Sequence, residues 1–360
     1  MTLSRSKQGN HINPNHIYSW FTTLVKVVAS APGKVTLFGE HAVVYGYPAI
    51  VTAIGRRVWV TAEPRGDDAV VIAALDLRVP GVVVTYRGNE VIIGTDYGKT
   101  LSAVAYLRKA IEITSDYLGA RGGVNLTVRS EMPVGAGLGT SAAVSVATIA
   151  AYSKVLGYDL RKDEIARLGW EVEKAVQGIA SPMDTSIASF GGTIKIWKEG
   201  EGGEFVRKQL SVSIEEPLII GYVERQHTTA EMVKAVKSLK ERYGELVELI
   251  MKAIGRLTEE AENALLQGDV LKVGTLMNVN HGLLEALNVS TMKLSQIVYA
   301  ARAAGALGAK LTGAGGGGAV IALASRDNAE KVELAVKLHS SITLKTTFGA
   351  PGVTVRTLKE

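Results

Sequence analysis

The residue types most suggestive of chemistry lie in the run Pro133-Val134-Gly135-Ala136-Gly137-Leu138-Gly139-Thr140-Ser141-Ala142-Ala143. Three glycines in five positions allow a tight bend and a close approach of main chain to a ligand. A strand-like stretch, Val124 to Arg129, precedes the run, and a small-residue stretch that predicts a helix, Ser141 to Leu156, follows it. The first turn of such a helix offers free N–H groups and a partial positive charge, which suit a polyphosphate. The chain is therefore expected to bind a nucleotide. Familiar nucleotide loops do not fit: a Walker A loop needs a lysine before its Ser/Thr, whereas Thr140-Ser141 follow Gly139 directly. The glycines are spaced G-x-G-x-G rather than G-x-G-x-x-G. The H-R-D and D-F-G triplets of protein kinases are missing.

Two further segments narrow the choice. Ala31-Pro32-Gly33-Lys34-Val35-Thr36-Leu37-Phe38-Gly39-Glu40-His41-Ala42-Val43-Val44-Tyr45-Gly46 stands near the N-terminus, and Leu311-Thr312-Gly313-Ala314-Gly315-Gly316-Gly317-Gly318-Ala319-Val320 near the C-terminus. In this order the three runs resemble the signature motifs of the GHMP kinases, and the first is similar to the version found in the mevalonate kinase family. The resemblance extends from about Val25 onward. It implies a two-domain α+β fold: an N-terminal ribosomal-protein-like α/β domain with a glycine-rich phosphate loop, and a ferredoxin-like C-terminal domain. It also implies ATP-dependent phosphorylation of mevalonate with Mg²⁺. Another GHMP small-molecule kinase (phosphomevalonate kinase or galactokinase) is the alternative, and a non-catalytic GHMP-like binding module is the alternative from a different class.

Several residues read two ways. Ser181-Pro182-Met183-Asp184 has the form of a helix start, with Ser181 as N-cap, Pro182 at the first position and Asp184 at the third. The resemblance instead makes Asp184 the catalytic carboxylate, which accepts or orients the proton of the attacking hydroxyl. The Ile179-Ala180 and Ser181-Pro182 pairs depart from the animal enzymes and look like an archaeal-type variant. Lys34, at the end of a strand, reads locally as a solvated turn residue; by resemblance it stabilises the alkoxide and the transferring phosphoryl group. Ser141 reads as an N-cap and Glu173 as a solvated helix residue, while the resemblance makes them the Mg²⁺ ligands, oxygen donors suited to a hard cation. Pro133, Gly135, Ala136, Gly137, Leu138, Gly139, Thr140 and Ser141 would hold the phosphates. Glu40, His41, Thr228, Gly313 and Ala314 would line the substrate pocket, although Thr228 with Glu231 also reads as a capping box.

These groups need elements to position them. The stretch from Val25 to Tyr86 is β-rich, with strands predicted around Lys26–Ser30, Arg57–Thr61, Val70–Ile72 and Val82–Val84. Period-3.6 patterns predict helices over Lys99–Leu118 (Leu101, Val104, Ala105, Arg108 and Ile111 on one face) and Lys162–Gln177 (Ile165, Leu168, Val172 and Val176). A short helix from Pro182 and a strand over Thr193–Trp197 follow. Beyond Pro217 the pattern is a strand (Leu218–Val223), about three helices between Thr229 and Ala304, two strands flanking the last glycine run, a helix over Asn328–Leu338 and a final strand. With the helices merged this is β-α-β-β-α-β, the ferredoxin-like order. Domains are expected over 25–212 and 213–360, after a flexible tail over 1–24.

Composition sets outer limits. With 360 residues, 47% hydrophobic and 21% charged, the chain can form two globular cores. No apolar stretch approaches the ~20 residues of a membrane span. Zero cysteines preclude disulfides and thiolate metal sites, and fit a reducing cytoplasm and a hot habitat equally well. A net charge of +5 without a basic stripe suits a small anionic ligand and argues against nucleic acid. Ala29-Ser30-Ala31 mimics a signal-peptidase site, but Lys26 interrupts the apolar segment before it, so secretion is not expected. The sequence does not fix the oligomeric state, and a homodimer is one of the states it allows.

Overall fold

The computed structural model describes residues 25–74, 82–87, 90–94, 100–133, 135–178, 180–199 and 205–358. The tail over 1–24 lies outside them. The first half builds β1 (Lys26–Phe38), β2 (Ala49–Pro64), β3 (Val70–Ala74), β4 (Val82–Arg87), β5 (Glu90–Gly94), α1 (Thr100–Leu118), β6 (Val124–Ser130), α2 (Thr140–Val155), α3 (Lys162–Gln177), α4 (Met183–Phe190), β7 (Thr193–Lys198) and β8 (Phe205–Leu210). Its sheet runs β1-β2-β6-β3-β4-β5, with β7 on one end of β2 and β8 beyond it. The helix α2 packs on β1 and β2 and is flanked by α1, α3 and α4. That central place suits its composition, because alanines, valines and short hydroxyl residues are buried from Ala142 to Ser153 and let neighbouring backbones approach closely.

The second half runs β9 (Leu218–Val223), α5 (Thr229–Arg242), α6 (Gly244–Gln267), α7 (Val270–Ala286), α8 (Met292–Ala303), β10 (Ala306–Thr312), β11 (Gly318–Ala324), α9 (Ala329–His339), β12 (Ile342–Thr346) and β13 (Thr354–Leu358). The sheet order β10-β11-β9-β12, antiparallel throughout, is the ferredoxin-like arrangement expected from the element order. Four helices, not three, stand between β9 and β10, because the pattern breaks at Tyr243. The strand β13 leaves this half and pairs with β1, Ser30 opposite Thr354.

Several local expectations shift. The strand β1 does not stop before Lys34 but continues to Phe38, with a register break between Pro32 and Lys34. Ala29, Ser30 and Ala31 are buried inside it, hydrogen-bonded into the sheet. On α1 the buried stripe is Val104, Leu107, Ala110 and Ile111, while Arg108 is exposed. Among the described residues no helix is long and apolar enough to cross a membrane.

The halves meet along β1 and β10. Thr36 N–H donates to Thr312 Oγ1 (2.9 Å), and that hydroxyl donates to Thr36 O (3.0 Å). Glu262 of α6 takes ion pairs from Lys195 (2.6 Å) and Lys208 (2.9 Å) on the β7–β8 hairpin.

Candidate active site

A cavity of about 890 Å³ opens where the two halves meet. Its lining includes Lys34, Glu40, His41, Gly135, Gly137, Gly139, Thr140, Ser141, Glu173, Asp184, Thr228, Gly313 and Ala314. Thus residues up to 280 positions apart in the sequence face one space.

The glycine loop is shaped by an alternation. Gly135, Gly137 and Gly139 take positive φ (79°, 80° and 70°), which L side chains rarely adopt. Between them Ala136 and Leu138 sink fully into the core. The core thus pins the loop while its glycine backbone faces the cavity, an arrangement that turns N–H groups toward an anion. Of the phosphate-loop residues, Ala136 and Leu138 can offer only main chain, and Val134 lies outside the described residues. Pro133 is not on the cavity wall; its carbonyl accepts from Thr140 Oγ1 (3.2 Å). Gly139, not Ser141, is the N-cap of α2, so Ser141 sits in the first turn with its hydroxyl free for another partner.

That partner is Glu173, whose Oε1 accepts from Ser141 Oγ at 3.2 Å. Glu173 is buried on α3 rather than solvated. Burial, and then the charge of Asp184, push its carboxyl up to about 8; the Ser141 hydroxyl and Lys34 offset this only in part. The ionised form of Glu173 therefore lacks enough positive charge nearby. A hard cation beside it would supply that charge, and hydroxyl plus carboxylate are the donors such an ion takes. No group of three or more His, Cys, Asp or Glu converges among the described residues, so the pair suits an ion that draws its remaining oxygens from phosphates and water.

Lys34 is buried, its stem pressed against the loop. A Cβ at Gly139 would stand 2.8 Å from Lys34 Cγ, and Lys34 N–H donates to Leu138 O (2.8 Å). Its Nζ lies 3.1 Å from Asp184 Oδ1. The local capping reading of Asp184 does not hold: Pro182 is the N-cap of α4, and Ser181 Oγ accepts from Met183 N at a long 3.4 Å. Asp184 stays in the first turn of α4 and lines the cavity.

Glu40 and His41 end the first motif. Glu40 pairs with fully buried Lys310 of β10 and accepts from Asn280 Nδ2 (3.1 Å). His41 adopts φ 60°, rare for a non-glycine residue, and donates from Nε2 to Ala314 O (2.9 Å). Burial holds its pKa below the usual histidine value, so the ring is neutral near pH 7. Thr228 caps α5, accepting from Glu231 N (3.2 Å) while Glu231 Oε2 accepts from Thr228 N (2.7 Å). It does so on the cavity wall.

Sequence reasoning missed several residues here. Tyr106, Gln177 and Arg225 line the cavity, and Gln177 Nε2 donates to the Tyr106 hydroxyl (2.7 Å). Lys310, Asn280 and His281 form the buried wall behind Glu40. A lone lysine in the apolar strand Ala306–Thr312 was the visible signal for that wall.

The chain is similar to known proteins in sequence and in fold. Residues 105–192 match the GHMP kinases N terminal domain, and residues 261–340 the GHMP kinases C terminal domain. Residues 21–64 match the galactokinase galactose-binding signature. A mevalonate kinase of Pyrococcus abyssi is 43% identical over 339 residues, 93% of this chain and 99% of that one. The chain belongs to the mevalonate kinase family. The crystal structure of the Methanococcus jannaschii mevalonate kinase superposes with a TM-score of 0.78 at 31% identity, covering 92% of this chain and all of that one. The L. major mevalonate kinase in complex with R-mevalonate gives 0.79 at 26% identity, covering 90% and 96%.

Proposed function

We propose that the protein transfers the γ-phosphoryl group of ATP to the 5-hydroxyl of mevalonate. The family supports this, and the arrangement that carries it is the Lys34–Asp184 pair beside a phosphate-cradling loop. The triphosphate would lie along Gly135–Ser141 at the N-terminus of α2. In this reading Asp184 orients the substrate hydroxyl and accepts its proton, while Lys34 stabilises the alkoxide and the charge on the moving phosphoryl group. Glu40, His41, Thr228, Gly313 and Ala314 shape the alcohol's pocket. Ser141 and Glu173 would hold Mg²⁺, whose charge neutralises the phosphate oxygens. Binding the ion requires Glu173 to give up the proton that burial favours. Catalysis is then mostly positioning and charge stabilisation.

The galactokinase signature over 21–64 favours a sugar as a second reading. That match covers only the first motif, whereas the mevalonate kinase relatives span nearly the whole chain. A coupled ADP-release assay with mevalonate, phosphomevalonate, galactose and homoserine separates the two. Turnover with mevalonate is expected; turnover confined to another alcohol refutes the proposal. A cytoplasmic site of action, supported by the absence of cysteine, and a homodimer, to be read by sedimentation, complete it.

A further inference from the structure

The turn between α3 and α4 sets the spacing of two carboxylates in the site. The helix α3 carries Glu173 and ends at Gly178, whose φ is 83° and whose N–H donates to Lys174 O (2.8 Å). The helix α4 starts after Pro182 and carries Asp184 in its first turn. Asp184 has Lys34 as its ion-pair partner, and its Oδ1 lacks a directed hydrogen bond. Its place is therefore set by the backbone that bears it more than by contacts of its own. Inside the turn, the Ala180 carbonyl accepts from the indole Nε1–H of Trp170 on α3 at 2.8 Å. On the far side, Thr185 Oγ1 (3.3 Å) and Ser186 N–H (3.0 Å) of α4 donate to Pro182 O. Trp170 is itself braced, because Lys174 Nζ sits over its ring, 3.8 Å from the centroid, a cation–π contact. Next to it, Gly169 lets α4 close on α3, since a Cβ there would stand 3.3 Å from Thr185 Cγ2. Trp170, Glu173, Lys174 and Gln177 fall at i, i+3, i+4 and i+7, on one face of α3. One helix face thus offers both the carboxylate beside Ser141 and the donor that grips the turn leading to Asp184.

We propose that Trp170 is a positioning residue for the phosphoryl transfer: its indole N–H, braced by Lys174, fixes the Ala180 carbonyl and through that turn holds Asp184 against Lys34 and at a set distance from Glu173. This rests on the reading of Asp184 as the group that takes the hydroxyl proton. Trp170 does not line the cavity, whereas Ala180 and Ser181 do, so the indole acts through the turn and touches no reactant. Misplacing a reacting group by about 1 Å costs on the order of 10²-fold in rate. An untethered turn lets Asp184 shift without unfolding either helix, because the packing of α4 at Gly169 and the end of α3 at Gly178 remain in place.

The test is a double-mutant cycle in the full chain, read by ADP release with mevalonate at high enzyme concentration and by thermal melting. Trp170→Phe keeps an aromatic ring under Lys174 and removes the donor. It is expected to lower kcat by about tenfold, leave the KM for ATP and for mevalonate within roughly threefold, and change the melting temperature little. In the Asp184→Asn background the same change is expected to alter the residual rate by less than about twofold, because the group it positions is already gone. Lys174→Gln, which bares the indole face, is expected to give a smaller fall in kcat, about threefold. Benzothienylalanine at position 170, which keeps the indole's shape and puts sulfur in place of N–H, stands in if Trp170→Phe fails to fold. An unchanged kcat would overturn the proposal, as would a loss confined to KM. So would an equal loss of rate with and without the Asp184 carboxylate, which would make Trp170 a packing residue only. A wild-type chain that left mevalonate untouched would refute the functional reading itself and be recognised before any variant was compared.

Discussion

Two lysine–carboxylate pairs stand at the cavity, Lys34–Asp184 on its wall and Lys310–Glu40 reaching it only through Glu40, and they differ in how completely they are satisfied. Lys310 and Glu40 are fully buried, and each has further partners: Asn280 donates to Glu40, and Lys310 donates to Leu311 O (2.7 Å). Lys34 and Asp184 are looser, with Asp184 a quarter exposed and its Oδ1 lacking a properly directed hydrogen bond. Glu173 next to them is short of positive charge. The first pair is a finished wall that locks β1 to β10. The second is an unfinished site whose groups gain their best partners when substrates arrive. A saturated buried pair gives shape; an unsaturated pair at a cavity edge gives chemistry.

Substitutions should separate the two. Asp184→Asn and Lys34→Met are expected to cut turnover by roughly 10²–10⁴-fold with little change in melting temperature. Lys310→Met should instead act on folding, costing about 3–5 kcal/mol by leaving Glu40 buried without its cation. The double change Lys310→Met with Glu40→Gln should recover much of that loss in denaturant titrations. Comparable stability losses from both pairs would erase the distinction.

Glu173 sharpens the comparison through pH. A carboxyl held at about 8 when folded and near the ordinary glutamate value when unfolded binds more protons in the folded state. Stability from this group is therefore fully present at low pH and is lost as pH rises toward 8. In the ligand-free protein, Glu173→Gln should flatten the fall in melting temperature over this range while abolishing Mg²⁺-dependent turnover. MgATP binding near pH 7 should release a proton from the wild type and not from the variant, seen as a buffer-dependent binding enthalpy. Thr228→Ala is the smallest effect, about 1 kcal/mol from the lost cap. Any additional loss of rate, restored by Thr228→Ser, would mark a contact with substrate.

Much of this was legible in the sequence where the signal is local. The 3.6-period stripe of α3 gave its boundaries to the residue, and β9 was equally plain from a continuous apolar run. The glycine spacing of the phosphate loop pointed to its backbone role. What escaped depends on distant partners. The strand β8, Phe-Val-Arg-Lys-Gln-Leu, is polar because it is an edge strand beside β7, and its identity comes from that pairing. The strand β13 is exposed and short, and only β1 makes it a strand. Tyr243 sits within one amphipathic stretch, so the break between α5 and α6 has no breaker residue to announce it beyond Gly244. The wall behind Glu40 and the placement of Arg225 arise only when the halves dock. No spacing rule relates residues 40 and 310.

The most direct test is a crystal structure with Mg²⁺, a non-hydrolysable ATP analogue and mevalonate bound together. The account predicts phosphates along Gly135–Ser141, the metal on Ser141 and Glu173, and the 5-hydroxyl within hydrogen-bond reach of Asp184 and Lys34, in line with the terminal phosphorus. Phosphates bound elsewhere, or an alcohol turned away from the 34–184 pair, would contradict it.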